Sequence, residues 1–163
     1  MDKIIVWIGL FKIKIISVGS KPDKNLKELI DSYSKKISNQ FDVDWINIKA
    51  EKKFDSISQK KEYEAKKITA YIENSFVVAM DENGQLFNSK EFTNKITEWI
   101  PNYPCITFII GGADGLHQAL LDEANFILSL SRMTFPHQLV KLFLSEQLYR
   151  CSAILNNHPY HRE

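Results

Sequence analysis

The run Cys105–Ile110 (CITFII) restricts the fold more than any other feature of the sequence. A strand that is apolar on both faces must be buried on both sides, as a central strand of a parallel sheet is. Segments with strand periodicity and segments with helix periodicity alternate along the chain on either side of this run. The alternation predicts an α/β fold, with a mostly parallel sheet flanked by helices.

Hydrophobic periodicity and turn residues predict five strands with helices between them and a long helix at the end. The strands are expected at residues 12–19, 41–48, 76–80, 105–110 and 126–130. The third strand should stop at the turn residues 81–84 (DENG), and Asn88 with Glu91 resembles the capping box that begins a helix. The last helix should run from Pro136 to about Asn156.

Length and composition predict one globular domain over residues 1–163, because 44% of the residues are hydrophobic and 25% are charged. These values exclude a disordered chain, a collagen-like fibre and a coiled coil. The apolar run at residues 4–11 is shorter than the roughly 20 residues that span a bilayer, and no cleavage site follows it. Cys105 and Cys151 lack the spacing of a disulfide framework or a metal site. We therefore expect a cytoplasmic protein with no membrane partner.

Charge is distributed unevenly, although the net charge is only +1. Residues 1–67 carry 15 Lys and Arg against 10 Asp and Glu (15 − 10 = +5), whereas residues 68–163 carry 6 against 10 (6 − 10 = −4). A basic half can meet the phosphate groups of a nucleic acid. A lysine-rich, solvated helix face explains the same pattern, so charge alone leaves both interpretations open.

The last predicted helix has two apolar faces. One face carries Leu139, Leu142 and Phe143, and the other carries Val140, Leu144 and Leu148. A helix that is apolar on two sides must be covered on two sides, and one sheet covers only one of them. The face with Val140, Leu144 and Leu148 is therefore expected to form a homodimer interface, the alternative being a helix enclosed within its own subunit.

Two loops that follow predicted strands are candidates for a ligand site. Residues 111–115 (GGADG) follow the fourth strand, and residues 130–137 (LSRMTFPH) follow the fifth. Glycines allow a ligand to approach the backbone, and ligands of open α/β sheets bind at the carboxyl ends of strands. The GGxxG spacing is neither the dinucleotide-binding fingerprint nor a Walker loop, which disfavours a nicotinamide-dependent oxidoreductase. A plain tight turn is the alternative for residues 111–115.

The C-terminal residues 156–163 (NNHPYHRE) carry more aromatic and charged side chains than chain ends usually do. His158 and His161 have no Cys or carboxylate partner at ligand spacing, so no metal is predicted. Tyrosine and histidine rings stack on bases and arginine binds phosphate, so the composition favours contact with RNA.

Three motifs in this order resemble one protein family. The motifs are IIGGADGLH (109–117), SLSRMTFPHQLVKLFLSEQLYR (129–150) and NHPYHRE (157–163). They resemble the RlmH family of bacterial 23S ribosomal RNA pseudouridine N3-methyltransferases, within the SPOUT superfamily. The resemblance extends from about Lys12 to the last residue and is most specific after Cys105. Residues 1–11 are an N-terminal extension relative to the family.

The resemblance implies a homodimer with a C-terminal trefoil knot that uses S-adenosylmethionine as its methyl donor and needs no metal. Its substrate would be a pseudouridine in the helix 69 loop of 23S ribosomal RNA, on assembled ribosomes. The positions that match the family's cofactor contacts are Met80, Gly111, Leu130, Ser131, Arg132, Met133, Thr134 and Phe135.

N3 of the target ring carries a proton that must leave, so the reaction needs a proton acceptor or a cation that stabilises the ring anion. His161 is the candidate base, since histidine titrates near neutral pH. Arg150 and Arg162 are candidates to bind phosphate or the ring anion, and Tyr160 is a candidate to stack on a flipped base. The alternative function is a non-catalytic ribosome- or RNA-binding protein, which would not bind S-adenosylmethionine.

Overall fold

Strands and helices alternate along the computed structural model, which describes residues 10–37 and 39–161. The strands are β1 (Phe11–Val18), β2 (Phe41–Ile48), β3 (Phe76–Leu86), β4 (Cys105–Ile110) and β5 (Phe126–Ser129). The helices are α1 (Lys24–Ile37), α2 (Ile57–Thr69), α3 (Ser89–Trp99), α4 (Gln118–Glu123) and α5 (His137–Leu155), with a short 3-10 helix at Ile100–Asn102. The sheet order is β2-β1-β4-β3-β5, and all neighbouring strands are parallel. The predicted fold class is confirmed.

β4 occupies the middle of the sheet, and all six of its residues are buried, as a strand that is apolar on both faces requires. A core cluster covers each face of the sheet. Helices α1, α3 and α5 cover one face and bury residues such as Phe92 and Leu148. Helices α2 and α4 cover the other face with residues such as Ile68 and Leu120.

β3 is longer than the sequence predicts. The predicted stop after Met80 is wrong, because the strand continues to Leu86. Leu128 of β5 pairs with both Met80 and Gln85, so residues 81–84 form a bulge within the strand. A run of turn residues has the same composition whether the strand ends there or continues after a bulge. Pairing with β5 is what makes β3 continue here.

Gly84 allows the bulge to lie directly against β5. A Cβ atom at this position would lie 2.7 Å from the carbonyl oxygen of Ile127, which is closer than side-chain carbons approach backbone atoms. The absence of a side chain therefore brings the bulge close to the end of β5.

The predicted capping box at the start of α3 is confirmed. The backbone N–H of Glu91 donates to the Asn88 side chain at 2.9 Å, and the backbone N–H of Asn88 donates to the Glu91 carboxylate at 2.8 Å. This cap fixes the point at which the chain turns from β3 into α3, beside the carboxyl end of β5.

The predicted dimer face of α5 is wrong. Leu144 and Leu148 are fully buried in the core of their own subunit, and Val140 packs against the same cluster. Helix α5 lies on the sheet with α1 on one side and α3 on the other, so its own subunit covers three sides. The large apolar residues of α5 that remain exposed at the surface are Leu139 and Phe143, each 37% exposed.

Helix α5 begins far from the strand that precedes it. β5 is an edge strand, yet Gln138 Nε2 donates to the Ser20 carbonyl oxygen at 2.7 Å, at the end of β1. At the other end of α5, Asn156 donates to the Gln40 side chain at 3.0 Å. The helix therefore runs alongside α1. The trefoil knot that the family resemblance implies stays a prediction.

None of the described helices is both long enough and apolar enough to cross a membrane. Most of the predicted N-terminal extension, residues 1–9, lies outside the described part of the chain.

Candidate functional site

The carboxyl ends of β4, β3 and β5 lie side by side. Met80 pairs with Ile110 on one side and with Leu128 on the other. Gly111 follows Ile110 directly, and residues 130–135 follow the end of β5. The positions predicted to contact the cofactor are therefore brought to one edge of the sheet, where ligands of open α/β sheets bind.

A cavity of about 400 Å³ lies beside the loop that joins β5 to α5. Its wall is formed by Phe87, Asn88, Ser89, Phe92, Leu128, Ser129, Leu130, Ser131, Phe135, Phe143, Glu146 and Gln147. The volume suits a small organic ligand, and the wall combines aromatic rings with a few polar groups, as small-molecule sites usually do. Of the predicted cofactor residues, Leu130, Ser131 and Phe135 line this cavity.

The other predicted cofactor residues have different surroundings. The Arg132 guanidinium donates to the backbone carbonyls of Glu82 and Gly84, at 2.5 and 2.9 Å, and the Thr134 hydroxyl donates to the Glu82 carboxylate at 2.7 Å. These bonds attach the loop to the bulge of β3. Met133 is 71% exposed, and Met80 is buried behind the strand ends.

Gly111 is required by the loop itself. A Cβ atom there would lie 2.7 Å from the carbonyl carbon of Gly115 and 2.8 Å from the backbone nitrogen of Leu116. Gly115 has a positive φ of 74°, which favours glycine. A larger residue at Gly111 would therefore disturb the turn whether or not a ligand is bound, so it is a poor probe of cofactor contact.

The C-terminal segment folds back onto α5. The Tyr160 hydroxyl donates to Glu146 Oε1 at 3.1 Å, and Arg150 Nη2 donates to the same oxygen at 2.5 Å. The Arg150 guanidinium lies over the Tyr160 ring, 4.9 Å from its centre, and the rings of Tyr149 and Tyr160 are 4.4 Å apart. Two of the three motifs, 129–150 and 157–163, thus contribute to one cluster only through this return of the chain.

The protonation states in this cluster follow from its contacts. The hydrogen bond to Glu146 raises the pKa of Arg150, which remains a cation. Burial raises the pKa of Tyr160, and hydrogen bonds with Tyr33 and Glu146 raise it further. Tyr160 therefore remains a phenol at neutral pH and can donate a hydrogen bond but cannot serve as the base.

His161, the predicted base, lies beside Arg150, with 3.5 Å between its Nδ1 atom and Arg150 Nη1. Arg162, another predicted catalytic residue, lies outside the described part of the chain. The structure thus brings Arg150, Tyr160 and His161 together.

Glu146 joins the cavity to this cluster, and the sequence analysis missed it. Its carboxylate accepts from Arg150 and Tyr160, and the residue also lines the cavity. Its signal was available in the motif SEQLYR, because Glu and Arg four residues apart face the same side of a helix.

A second polar cluster lies at the start of α5. Lys141 is only 2% exposed, and its ammonium donates to the Ser20 carbonyl at 3.2 Å and to the Asn47 side chain at 3.5 Å. Burial lowers its pKa. Burial, and then the charge of Lys141, lowers the pKa of His137, whose Nε2 atom is buried without a hydrogen-bond partner.

Within residues 10–37 and 39–161, no group of three or more His, Cys, Asp or Glu side chains is arranged to hold a metal ion. Cys105 and Cys151 are free and buried. Burial raises the pKa of Cys151 to about 12, so its thiol remains protonated.

A model of the family described as "Predicted SPOUT methyltransferase" matches residues 11–161, starting at the first residue of β1. The "Ribosomal RNA large subunit methyltransferase H" of Acholeplasma laidlawii is 44% identical over 153 residues, which cover 93% of this chain and 99% of that protein. The protein of the same name from Clostridium botulinum (strain Hall) is 43% identical over 157 residues, which cover 92% and 99%.

Two solved structures share the fold at low sequence identity. A probable methylase family protein from Haemophilus influenzae Rd KW20 gives a TM-score of 0.54 at 12% identity, with 93% of this chain and 70% of that chain covered. A probable methyltransferase from Bordetella pertussis Tohama I gives a TM-score of 0.52 at 10% identity, with 88% and 95% covered. The match over nearly the whole chain, together with relatives above 40% identity, confirms the predicted family: the chain belongs to the SPOUT methyltransferases.

Proposed function

We propose that this protein transfers a methyl group from S-adenosylmethionine to N3 of a pseudouridine in the helix 69 loop of 23S ribosomal RNA, on assembled ribosomes. Similar proteins named as large-subunit ribosomal RNA methyltransferases support the substrate class. The observation that carries the proposal is Glu146, because it lines the cavity and also binds Arg150 and Tyr160. A methyl donor and a polar cluster suited to an RNA base would thus be neighbours.

The cavity fits S-adenosylmethionine in size and lining. Its aromatic and aliphatic residues, such as Phe87 and Leu130, suit the adenine ring, and its polar residues, such as Asn88 and Ser131, suit the ribose and amino acid groups. When bound, the cofactor supplies an electrophilic methyl group. Arg132 and Thr134 would act by holding the loop against β3, while Met80 and Gly111 would support the site from the ends of the neighbouring strands.

The polar cluster would position the target ring and manage its proton. Arg150, held by Glu146, would supply the positive charge that stabilises a ring anion. Tyr160 would donate a hydrogen bond to the base or stack on it, and His161, beside Arg150, would accept the proton. Arg162 would add a phosphate contact. These roles need no metal.

We further propose a cytoplasmic homodimer in which residues 1–163 form one domain. The apolar rim, defined as Met133, Leu139 and Phe143, is 71%, 37% and 37% exposed, and Phe143 also lines the cavity. This rim is now the candidate dimer interface, in place of the predicted face that carries Leu144. A Leu139→Glu protein that keeps the wild-type dimer mass in light scattering would reject this rim.

The decisive experiment is mass spectrometry of 23S ribosomal RNA from cells that lack the gene. We expect one methylated pseudouridine to disappear, and purified protein with S-adenosylmethionine to restore it on large subunits or on whole ribosomes. An unchanged methylation pattern would reject the proposal. The alternative, a non-catalytic ribosome-binding protein, predicts no detectable affinity for S-adenosylmethionine in calorimetry.

A further inference from the structure

Lysines are concentrated in one segment of the chain, which runs from the end of β2 through α2. Residues 49–67 carry seven lysines against four Asp and Glu (7 − 4 = +3). Four of these lysines are exposed, and the other three are partly exposed. We call this set the basic surface, and its members are Lys49, Lys52, Lys53, Lys60, Lys61, Lys66 and Lys67.

The loop between β2 and α2 is folded onto the helix, so that lysines of both segments share one surface. The backbone N–H of Glu51 donates to the Glu64 carboxylate on α2 at 2.9 Å. The Glu51 carboxylate in turn accepts from the backbone N–H groups of Lys52 and Lys53, at 2.8 and 2.7 Å. These bonds fix the lysines of the loop relative to those of the helix.

Two aromatic rings add to the contact between the loop and the helix. The ring centres of Phe54 and Tyr63 are 5.8 Å apart, and the Lys67 ammonium lies 4.4 Å from the centre of the Tyr63 ring. The hydrogen bond from the Lys53 backbone lowers the pKa of Glu51, and the charges of Lys67 and Lys53 lower it further. Both ammonium groups therefore lie near the same carboxylate, on one side of the protein.

Positive charge exceeds negative charge on this surface even when every carboxylate of the segment is counted. Glu64 is 9% exposed and Glu51 binds backbone N–H groups, so both carboxylates serve to hold the loop. Among the described residues, Lys66 is the one member of the basic surface within ion-pair distance of a carboxylate, that of Glu62. Exposed cations in excess attract a polyanion.

The basic surface begins at the edge of the sheet that carries the proposed active site. Its loop follows the carboxyl end of β2, which lies at the same edge as the carboxyl ends of β4 and β5, since all neighbouring strands are parallel. Lys61 and Glu64 line a small pocket together with Gly115 and His117, which follow β4. A polyanion on the basic surface would therefore extend from this edge along α2.

We propose that the basic surface binds the phosphate backbone of ribosomal RNA outside the methylated loop. Lys53 and Lys67 each contact a phosphate group. A lysine ammonium binds phosphate as a point charge, without the fixed geometry of an arginine fork, which suits a repeating backbone. This inference rests on the proposed function and adds a contact with the ribosome away from the reacting base. It favours contact with a nucleic acid over a merely solvated helix face.

The chain offers a matched control with the same loss of charge. Lys12 is exposed at the start of β1, at the opposite edge of the sheet. Lys95 lies on α3, which covers the opposite face of the sheet from α2. The double variant Lys12→Gln with Lys95→Gln therefore removes two positive charges away from the basic surface, and Lys53→Gln with Lys67→Gln removes two from it.

The experiment measures binding of fluorescently labelled protein to purified, unmethylated ribosomes by anisotropy at several salt concentrations. In about 0.1 M salt, the Lys53 and Lys67 double variant should bind about 5- to 50-fold more weakly than the wild type. The slope of log K against log salt should fall by about 1.4 to 1.8, which is the loss of two phosphate contacts. The control double variant should bind as the wild type does.

Kinetics separate this contact from the reacting centre. The KM for ribosomes should rise in the Lys53 and Lys67 double variant by about the factor by which binding weakens. The kcat at saturating ribosomes and the affinity for S-adenosylmethionine should stay at their wild-type values, because neither lysine lines the cavity. A fall in kcat with unchanged KM would overturn the inference.

Equal ribosome affinity in the two double variants would also overturn the inference, because the basic surface would then contribute nothing beyond net charge. A change of oligomeric mass in the Lys53 and Lys67 double variant would overturn it as well and would assign the surface to a second copy of the chain. Methylation of 23S RNA is scored separately. Ribosome binding that depends on Lys53 and Lys67 in a protein without methyltransferase activity would reject the proposed function and retain the basic surface.

Discussion

The two halves of α5 handle charge in opposite ways. At its start, Lys141 is buried and donates to neutral oxygens of Ser20 and Asn47. At its end, Glu146 and Arg150 are partly exposed and pair with each other. One helix therefore carries a buried cation that binds neutral oxygens and, about two turns later, a partly exposed ion pair.

The difference indicates two tasks. A buried ammonium costs free energy that neutral acceptors recover only in part, so the start of α5 fastens the helix to the ends of β1 and β2 at some expense of stability. An accessible ion pair contributes little to stability but leaves charge within reach of a substrate. We therefore expect the first half of α5 to anchor the helix, and we propose the chemistry for its second half.

The largest expected effect tests the second half. Arg150→Gln should lower the rate of ribosomal RNA methylation by about 10²- to 10³-fold, as loss of a charge-stabilising donor does. The melting temperature should change by only a few degrees, because the pair is partly exposed. Lys95→Gln, which breaks the exposed pair of Lys95 with Glu98, is the control for activity. Equal methylation rates in Arg150→Gln and Lys95→Gln would contradict a role for the Glu146–Arg150 pair in the reaction.

The next effect concerns the buried side of α5 between the two ends. Leu144→Ala should destabilise the protein by about 2–5 kcal/mol in chemical denaturation, because the side chain is fully buried. Leu139→Ala, on the exposed side, should cost well under half of that. Similar losses for both leucines would contradict the corrected assignment of the two faces.

A smaller effect, of opposite sign, tests the first half. Lys141→Met should stabilise the protein by about 1–2 kcal/mol, because it removes a buried charge with which no carboxylate of the described residues pairs. Both acceptors keep another donor, since Gln138 binds the Ser20 carbonyl and Ser17 binds Asn47. The melting temperature should rise by a few degrees, and methylation activity should be retained. A loss of methylation activity in the stabilised Lys141→Met protein would show that Lys141 also takes part in the reaction.

The smallest effect is a dependence on pH. Burial and the charge of Lys141 lower the pKa of His137 from its ordinary value of 6.5. As the pH falls through 6.5 the unfolded chain binds a proton before the folded one does, so stability is lost, and the loss levels off below the folded pKa. His137→Asn should therefore narrow the fall in melting temperature between neutral and mildly acidic pH by a degree or a few. Parallel profiles of melting temperature against pH for the wild type and His137→Asn would contradict a lowered pKa of His137 in the folded protein.

Local sequence patterns predicted the strands, the capping box and the central position of β4, because each depends on residues near one another in the chain. The bulge at residues 81–84 was missed because its strand resumes only through pairing with Leu128. The faces of α5 were misassigned because the sequence gives the number of apolar sides but not the number of neighbouring elements. Glu146 was overlooked because its partners, Arg150 and Tyr160, meet it only after the C-terminal segment folds back.

The sequence by itself determined the periodicity of each element, the parallel sheet and the family, since these are written in side-chain order and in three motifs. The tertiary structure alone decided that α5 lies between α1 and α3, that Lys141 is buried against neutral oxygens, and that Glu146 lies between the cavity and the cluster of Arg150 and Tyr160. The physical reason is that burial and pairing depend on which surfaces meet. Those surfaces come from residues more than a hundred positions apart, such as Ser20 and Lys141.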